Sequence, residues 1–415
     1  MNFLLLRLST LVIVSLASAF ASDALAQAGA TISEDGAVIH YDKTDPSFNA
    51  WKAMREDLRS GREPGPINVQ RFKGYYPWVG IPTFFHAPVA LVPEDLKAGN
   101  VEVAIMGAEL VGDPRARMWG PAEMRNPHRS EVYHLWGDFA MPELDSGVTA
   151  LQTLSVVDYG DAPIEPFSIE RSIPEIRRMV REIASTEIEG GKRTIPIIIG
   201  GGHVLMYPDV AGLVDVYGKG NVSVIHFDAH ADYAPIGFGH KVFHGNPIRA
   251  LMDDGLIDGE DIIQIGLRGP TSSDPNMVKW ARQEGLRYHM MAEVEKYGWQ
   301  KVMDDVLAEA SKVAKNLFIS FDVDVIDPAF IPGTSTPEPG GLYMREALPL
   351  MRRLCAENNV VGMEMVELRP DSDPGYTTML NAKALLRQCL NGMAMRKKGL
   401  TEPGYLNPLF SDDGH

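Results

Sequence analysis

VIHFDAHADYA, residues 224–234, is an apolar run that ends in Asp228, His230 and Asp232 at every second position. In an extended chain, side chains at i, i+2 and i+4 leave the same face, so these three ligand-type groups project together. The run before them has the unbroken apolar pattern of a strand buried on both faces. The same pattern recurs on either side, in VEVAIMG (101–107), LSVVDYG (154–160), TIPIIIG (194–200), DIIQIGL (261–267), LRYHMM (286–291), LFISFDVDV (317–325) and VVGMEMVEL (360–368). Helical patterns lie between, such as IERSIPEIRRMVREIAS (169–185) and WQKVMDDVLAEASKVAK (299–315). Apolar strands separated by helices predict a three-layer α/β/α domain around a central, mostly parallel sheet of about eight strands.

In open sheets of this kind, ligands bind beyond the carboxyl ends of the strands. Polar residues collect there. TIPIII ends in Gly200-Gly201-Gly202-His203, and VSVIHF ends in Asp228-Ala-His230-Ala-Asp232. LFISF ends in Asp322-Val-Asp324, and VVGMEMV ends in Glu367-Leu-Arg369-Pro370. The candidate metal ligands are His203, Asp228, His230, Asp232, Asp322 and Asp324. Gathered in one crevice, their carboxylates would repel and distort each other's pKa values. A pair of divalent cations removes that conflict, so a binuclear site is predicted. The oxygen-rich set with imidazole suits Mn²⁺; Ni, Co, Fe or Zn are compatible, and no thiolate contributes. His226 shares the parity of Asp228 but sits inside the strand, and is read as a core histidine. Asp327 precedes a proline and is read as a turn former. The glycine triplet misses the dinucleotide pattern, whose third glycine would fall at Leu205, and is read as a close turn of backbone.

With 415 residues the chain suffices for one large α/β domain or two smaller ones. Apolar residues at 45% and charged residues at 23% indicate a soluble globular protein. The net charge of −16 argues against nucleic acid as a partner and accommodates a small cationic substrate. Arg7, the apolar stretch Leu8 to Phe20 and Ala24-Leu25-Ala26 have the layout of a secretory signal peptide, an uncleaved anchor being the rival reading. The expected product is periplasmic or secreted, with no membrane attachment after cleavage. The expected division is a signal peptide at 1–26, an irregular Pro-, Gly- and aromatic-rich N-terminal arm at 27–95, a catalytic domain at 96–395 and a tail at 396–415. Cys355 and Cys389 both fall in helical apolar patterns and are expected as buried free thiols rather than a bridge.

GIPTFFHAP (80–88), WGPAEMR (119–125), GGGH, DAHAD, FHGNP (243–247), SFDVDVIDPAF (320–330), GTSTPEPGG (333–341) and MVELRP (365–370) together resemble the ureohydrolases, the arginase and agmatinase family. The resemblance runs from about residue 75 to 390, and GIPTF with the export signal leans toward the agmatinase-like branch. It implies the arginase-like fold and two Mn²⁺ ions per subunit. One would be held by His203, Asp228, Asp232 and Asp322, the other by His230, Asp228, Asp322 and Asp324. It implies that His244 shuttles protons near the leaving amine, with His240 as a rival, and that Glu367 receives the guanidinium. Two ions would lower the pKa of a water from about 15.7 toward neutrality, and Asp232 would accept a hydrogen bond from it. Relatives of this kind form trimers and hexamers, so a homo-oligomer is implied.

Departures from the family pattern bear on the substrate. Ala234 and His240 stand where arginase has the Asn and Ser that read the amino-acid end of arginine, which makes arginine a poor substrate. GGGH replaces the commoner GGDH or GGEH beside His203, and Ser335 stands where many relatives have glycine. Arg369, if turned inward, would favour a carboxylate-bearing substrate; the favoured reading is an ordinary surface arginine. The expectation is hydrolysis of a small guanidino compound, agmatine first, to urea and an amine. The alternatives are a guanidinobutyrase or other guanidino-acid or guanidine hydrolase, a formiminoglutamase-type hydrolase, a single-zinc deacetylase, and a metal-binding protein without catalysis.

Overall fold

The computed structural model describes residues 31–32, 38–39, 42–59, 61–71, 80–111, 119–126, 141–237, 239–270, 274–313 and 316–408. The expected signal peptide lies outside them. The chain divides into a unit ending at Arg55 and a unit from Glu56 onward. The first holds a short antiparallel pair, Thr31–Ile32 with Val38–Ile39. The second carries everything that follows.

All eight apolar runs are strands: β1 (Val103–Ala108), β2 (Val156–Asp161), β3 (Ile195–Gly200), β4 (Ser223–Phe227), β5 (Ile262–Leu267), β6 (Arg287–Met290), β7 (Leu317–Asp322) and β8 (Val360–Val366). They form one sheet in the order β2-β1-β3-β8-β7-β4-β5-β6, with every pairing parallel. The missing alternation in sequence now has its cause. Ile105, Ile197, Ile199, Ile225, Phe227, Ile265, Phe321 and Met365 pack into one buried layer. Ala104, Met106, Ile198, Val224, Ile262 and Phe318 pack into the other. Both faces are covered, so both parities are apolar.

Flanking helices include α1 (Ile169–Ser185), α2 (Met206–Tyr217), α3 (Trp299–Val313), α4 (Met344–Glu357) and α5 (Thr377–Lys397). Helix α1 has the predicted bounds, started by the Ser168 hydroxyl, which accepts the N–H of Arg171. Two expectations need correction. The 317–325 run is not strand throughout: the Asp322 carboxylate accepts the Asp324 N–H at 2.9 Å and turns Val323–Val325 into a 3₁₀ turn. Cys355 on α4 and Cys389 on α5 are buried as expected but not free. The two helices bring their Cα atoms to 5.3 Å and the sulfurs form a disulfide. Their helical context indicated burial alone, because only tertiary packing sets the distance between α4 and α5.

The expected arm is only partly irregular. Phe84, Phe85 and Ala87 belong to the main core, and the Phe84 N–H donates to Asp158 at 3.1 Å. Helix Pro93–Ala98 begins inside it, and α5 carries helix past residue 396 into the expected tail. Among the described residues no helix is long and apolar enough to cross a membrane.

Candidate metal centre

Register brings the strand ends to one edge. Gly200 pairs with Ala108, Val366 with Asp322 and Phe227 with Phe321, so β1, β3, β8, β7 and β4 finish together. His203 enters through the backbone. The Glu367 N–H donates to the Gly201 carbonyl at 2.7 Å, and the His203 N–H donates to Glu367 Oε1 at 2.9 Å. Gly201 is required by close approach, since a Cβ there would lie 2.5 Å from the Leu110 carbonyl oxygen.

His203 Nδ1 lies 2.9 Å from Asp228 Oδ2, 3.1 Å from Asp232 Oδ2 and 3.2 Å from Asp322 Oδ2. His230 Nδ1 lies 2.9 Å from Asp324 Oδ2 and 3.4 Å from Asp228 Oδ1. All six candidate ligands therefore stand together, and Asp228 offers one oxygen to each half. Two groups have their ligand atoms close enough to hold an ion: His203, His226, Asp228 and Asp232, and Asp228, His230 and Asp324.

The donors fit a cation. His203 Nδ1 is buried without a hydrogen-bond partner. Burial and the neighbouring carboxylates push Asp322 well above the usual carboxylate range and raise Asp324. Burial opposes charge on His230, yet Asp228 and Asp324 outweigh it and push the ring up to about 12. Protons on the imidazoles offset part of this negative charge. Divalent cations can replace those protons and free the same nitrogens as ligands.

His226 looks like a ligand by position, but its hydrogen bonds decide otherwise. The Gln264 side-chain N–H₂ donates to the Ala231 carbonyl at 2.9 Å and faces His226 Nδ1 at 3.2 Å. A carbonyl only accepts, which fixes the amide orientation and makes Nδ1 an acceptor. The His226 proton is then on Nε2, aimed at Asp228 Oδ2 at 3.2 Å. His226 therefore orients Asp228, and its ring stacks on His203 with centroids 4.8 Å apart.

This histidine belongs to a row that sequence reasoning missed. Glu364, Ser320, His226 and Gln264 pair side by side across β8, β7, β4 and β5, directly beneath the ligands. Ser320 Oγ is 2.8 Å from His203 Nε2, and Glu364 Oε1 is 3.9 Å from it. Asp209 on α2 meets Glu364; burial raises both carboxyls, Glu364 raises Asp209 further, and the hydrogen bond with Asp209 partly offsets the rise of Glu364. The available signal was parity: Glu364, Ser320 and His226 each stand two residues before a strand-end position, on the side-chain parity of Asp322 and Asp228.

Two site residues hold left-handed backbone, Asp232 at φ 50° and Glu367 at φ 60°. Such conformations cost on the order of 1 kcal/mol each and gather at functional sites. Glu367 is 6% exposed, and burial pushes its carboxyl up to about 7 against the His203 N–H and the neighbouring Ser335. The loop carrying His244 is tied to the Asp232 segment: the Ala234 N–H donates to the Gly245 carbonyl at 3.0 Å and the Ile248 N–H to the Asp232 carbonyl at 3.2 Å. His244 itself is exposed and meets Phe243 edge-on. His240 is turned to Glu170, with 2.8 Å between its Nδ1 and that carboxylate. Arg369 donates to Asp371 at 3.3 Å. Asp327 accepts the N–H groups of Ala329, Gly340 and Gly341, a turn former as expected.

A family model described as the arginase family matches residues 102–391. Chicken (Gallus gallus) mitochondrial agmatinase is 31% identical over 74% of this chain and 84% of its own. Guanidinopropionase of Pseudomonas aeruginosa is 32% identical over 80% of this chain and 96% of its own. Among solved structures, proclavaminate amidino hydrolase of Streptomyces clavuligerus superposes with a TM-score of 0.66 at 29% identity, covering 78% of this chain and all of that one.

Proposed function

The chain belongs to the arginase family, and from that premise we propose that it is a binuclear-metal hydrolase releasing urea from a small guanidino compound, agmatine first among the candidates. The observation that carries this is Asp228, which presents separate oxygens 2.9 Å from His203 and 3.4 Å from His230. The ions would be held by His203, Asp228, Asp232 and Asp322 on one side and by His230, Asp228, Asp322 and Asp324 on the other, with Mn²⁺ the ion the oxygen-rich donors suit best. When bound, such a pair supplies Lewis acidity and an activated water.

The chain's own groups do the rest. Asp232, beside His203, accepts a hydrogen bond from the attacking water and so aims it. Glu367, buried and fixed by the His203 N–H, offers a planar anion that matches the fork of a guanidinium. A cationic ligand beside it would lower its raised pKa. His244, on the loop tied to Asp232, hands a proton to the departing amine nitrogen. Urea and the amine leave.

The test is a urea-release screen over agmatine, guanidinobutyrate, guanidinopropionate, arginine and guanidine after reconstitution with Mn²⁺, then Ni²⁺. Urea from at least one member supports the reading. No urea from any, with metal confirmed bound, removes it. The relatives' own names divide between an agmatine and a guanidino-acid substrate. Pairing of Arg369 with Asp371 favours the former, since that arginine is engaged by its own anion.

The export reading is supported by the Cys355–Cys389 disulfide, because such bridges persist in oxidising compartments. N-terminal sequencing of the mature protein should begin just after Ala26. Light scattering should show a trimer or hexamer.

A further inference from the structure

Arg268 directly follows β5, the neighbour of β4 in the sheet. Its backbone N–H donates to the carbonyl of Ala229, the residue between Asp228 and His230, at 3.1 Å. Its guanidinium reaches the 3₁₀ turn that carries the third member of that group, Asp324. Nη2 donates to the Asp324 carbonyl at 2.6 Å and to the Glu338 carbonyl at 2.6 Å. Nη1 donates to the carbonyls of Gly266 at 3.1 Å and Val325 at 3.3 Å. Nε lies 3.2 Å from the carbonyls of both Glu338 and Pro339. A guanidinium has five N–H donors, and here each of them meets backbone carbonyl oxygen.

Two glycines make room for this fork. A Cβ on Gly341 would lie 2.6 Å from Arg268 Nη2. A Cβ on Gly266, at φ 104°, would lie 2.4 Å from the Val325 side chain and 3.0 Å from the Asp228 carbonyl oxygen. Burial works against charge on Arg268, and Asp324 and Asp228 favour it.

The fork ties together the end of β5, the Val323–Val325 turn and the Glu338-Pro339 segment. Asp324 stands where they meet. Its Oδ1 accepts the Ala229 N–H at 3.0 Å, and its Oδ2 accepts the Thr336 hydroxyl at 3.2 Å while facing His230 Nδ1 at 2.9 Å. The His203 half of the centre is held from other directions. His203 hangs from Glu367 by its N–H, and the Asp232 carbonyl is anchored by Ile248.

We propose that Arg268 is a positioning residue for the His230 half of the metal centre: by fixing the Asp324 backbone from behind, it sets the affinity of the ion beside His230 and leaves the ion beside His203 to its own supports. The inference rests on the binuclear reading above and deepens it. Charge and shape act here with opposite signs. A cation behind a cation site weakens binding through its charge, whereas a fork that holds a ligand in place strengthens it. Lysine separates the two, because it keeps the charge but has three donors on one nitrogen and cannot span these carbonyls.

Calorimetric titration with Mn²⁺ tests this in wild type, Arg268→Lys and Arg268→Gln, with anomalous diffraction at subsaturating Mn²⁺ to assign each ion to its half. The expected result is a loss of about tenfold or more in affinity beside His230 in both variants, with affinity beside His203 changed by less than about threefold. Binding by Arg268→Lys as tight as wild type, or a gain in Arg268→Gln, would assign the effect to charge and overturn the proposal. Equal losses at both ions would overturn it too, as would a lower melting temperature of the metal-free protein with both affinities unchanged, the mark of a merely structural role. A wild type that loads His203 and takes no ion beside His230 removes the binuclear reading itself, and the proposal falls with it. Circular dichroism identifies a variant that has not folded; Arg268→Lys, the milder change, then carries the comparison.

Discussion

Asp232 carries three demands at once: its Oδ2 lies 3.1 Å from His203 Nδ1, its backbone is left-handed, and its carbonyl anchors the His244 loop. Asp232→Asn keeps the shape and the backbone preference while removing the charge. Urea release should fall by at least about a hundredfold with the melting temperature shifted by only a few degrees; activity near wild type would contradict the assigned role. Below the ligands, the Gln264 amide fixes His226 and His226 fixes Asp228. Gln264→Leu should therefore weaken metal binding by about 10–100-fold, read by competition with a chelator. Unchanged affinity would mean that the row is packing only. The difference in legibility between these layers is physical. Ligands at strand ends alternate in plain view after an apolar run. Glu364, Ser320 and Gln264 sit singly inside such runs, and only the pairing of four strands makes them neighbours.

Elements were legible where local periodicity sets them. Eight strands and helix α1 stand where the apolar runs and the Ser168 start signal put them. The end of β7 was misjudged because an Asp that caps a 3₁₀ turn and an Asp that continues a strand leave the same letters. Pairing of Cys355 with Cys389 depends on the fit of α4 to α5, which no spacing encodes. Closing a loop of 34 residues removes enough chain entropy for about 3–4 kcal/mol. Paired replacement of both cysteines by alanine should lower the unfolding free energy by a loss of that order in denaturant titrations, with the urea-releasing site intact. At the entry to helix Pro93–Ala98, buried Asp95 takes the Arg62 guanidinium at 2.5 Å and the N–H groups of Gly65 and Leu91. Burial works against its charge, but these donors hold the Asp95 carboxyl at about 2, below its ordinary 3.8. A depressed carboxylate stabilises the fold above about pH 4, and that contribution of roughly 2 kcal/mol fades as pH falls toward 2. The stability gap between wild type and Asp95→Asn should be constant above pH 5 and narrow toward pH 2.

At the scale of the molecule, the parallel sheet has one consequence above all others: it brings Asp228, Asp322 and Asp324, each 3% exposed or less, to a single edge. A fold that buries so much like charge is stabilised by whatever cation binds it and not its unfolded chain. Chelation should lower the melting temperature by several degrees, and Mn²⁺ should restore it. Anomalous diffraction from crystals of the Mn-reconstituted protein measures the central claim itself. The account predicts two manganese peaks about 3.5–4 Å apart, one beside His203 and the other beside His230, with the Asp228 carboxylate touching both. A single peak, or density away from Asp228, would contradict it.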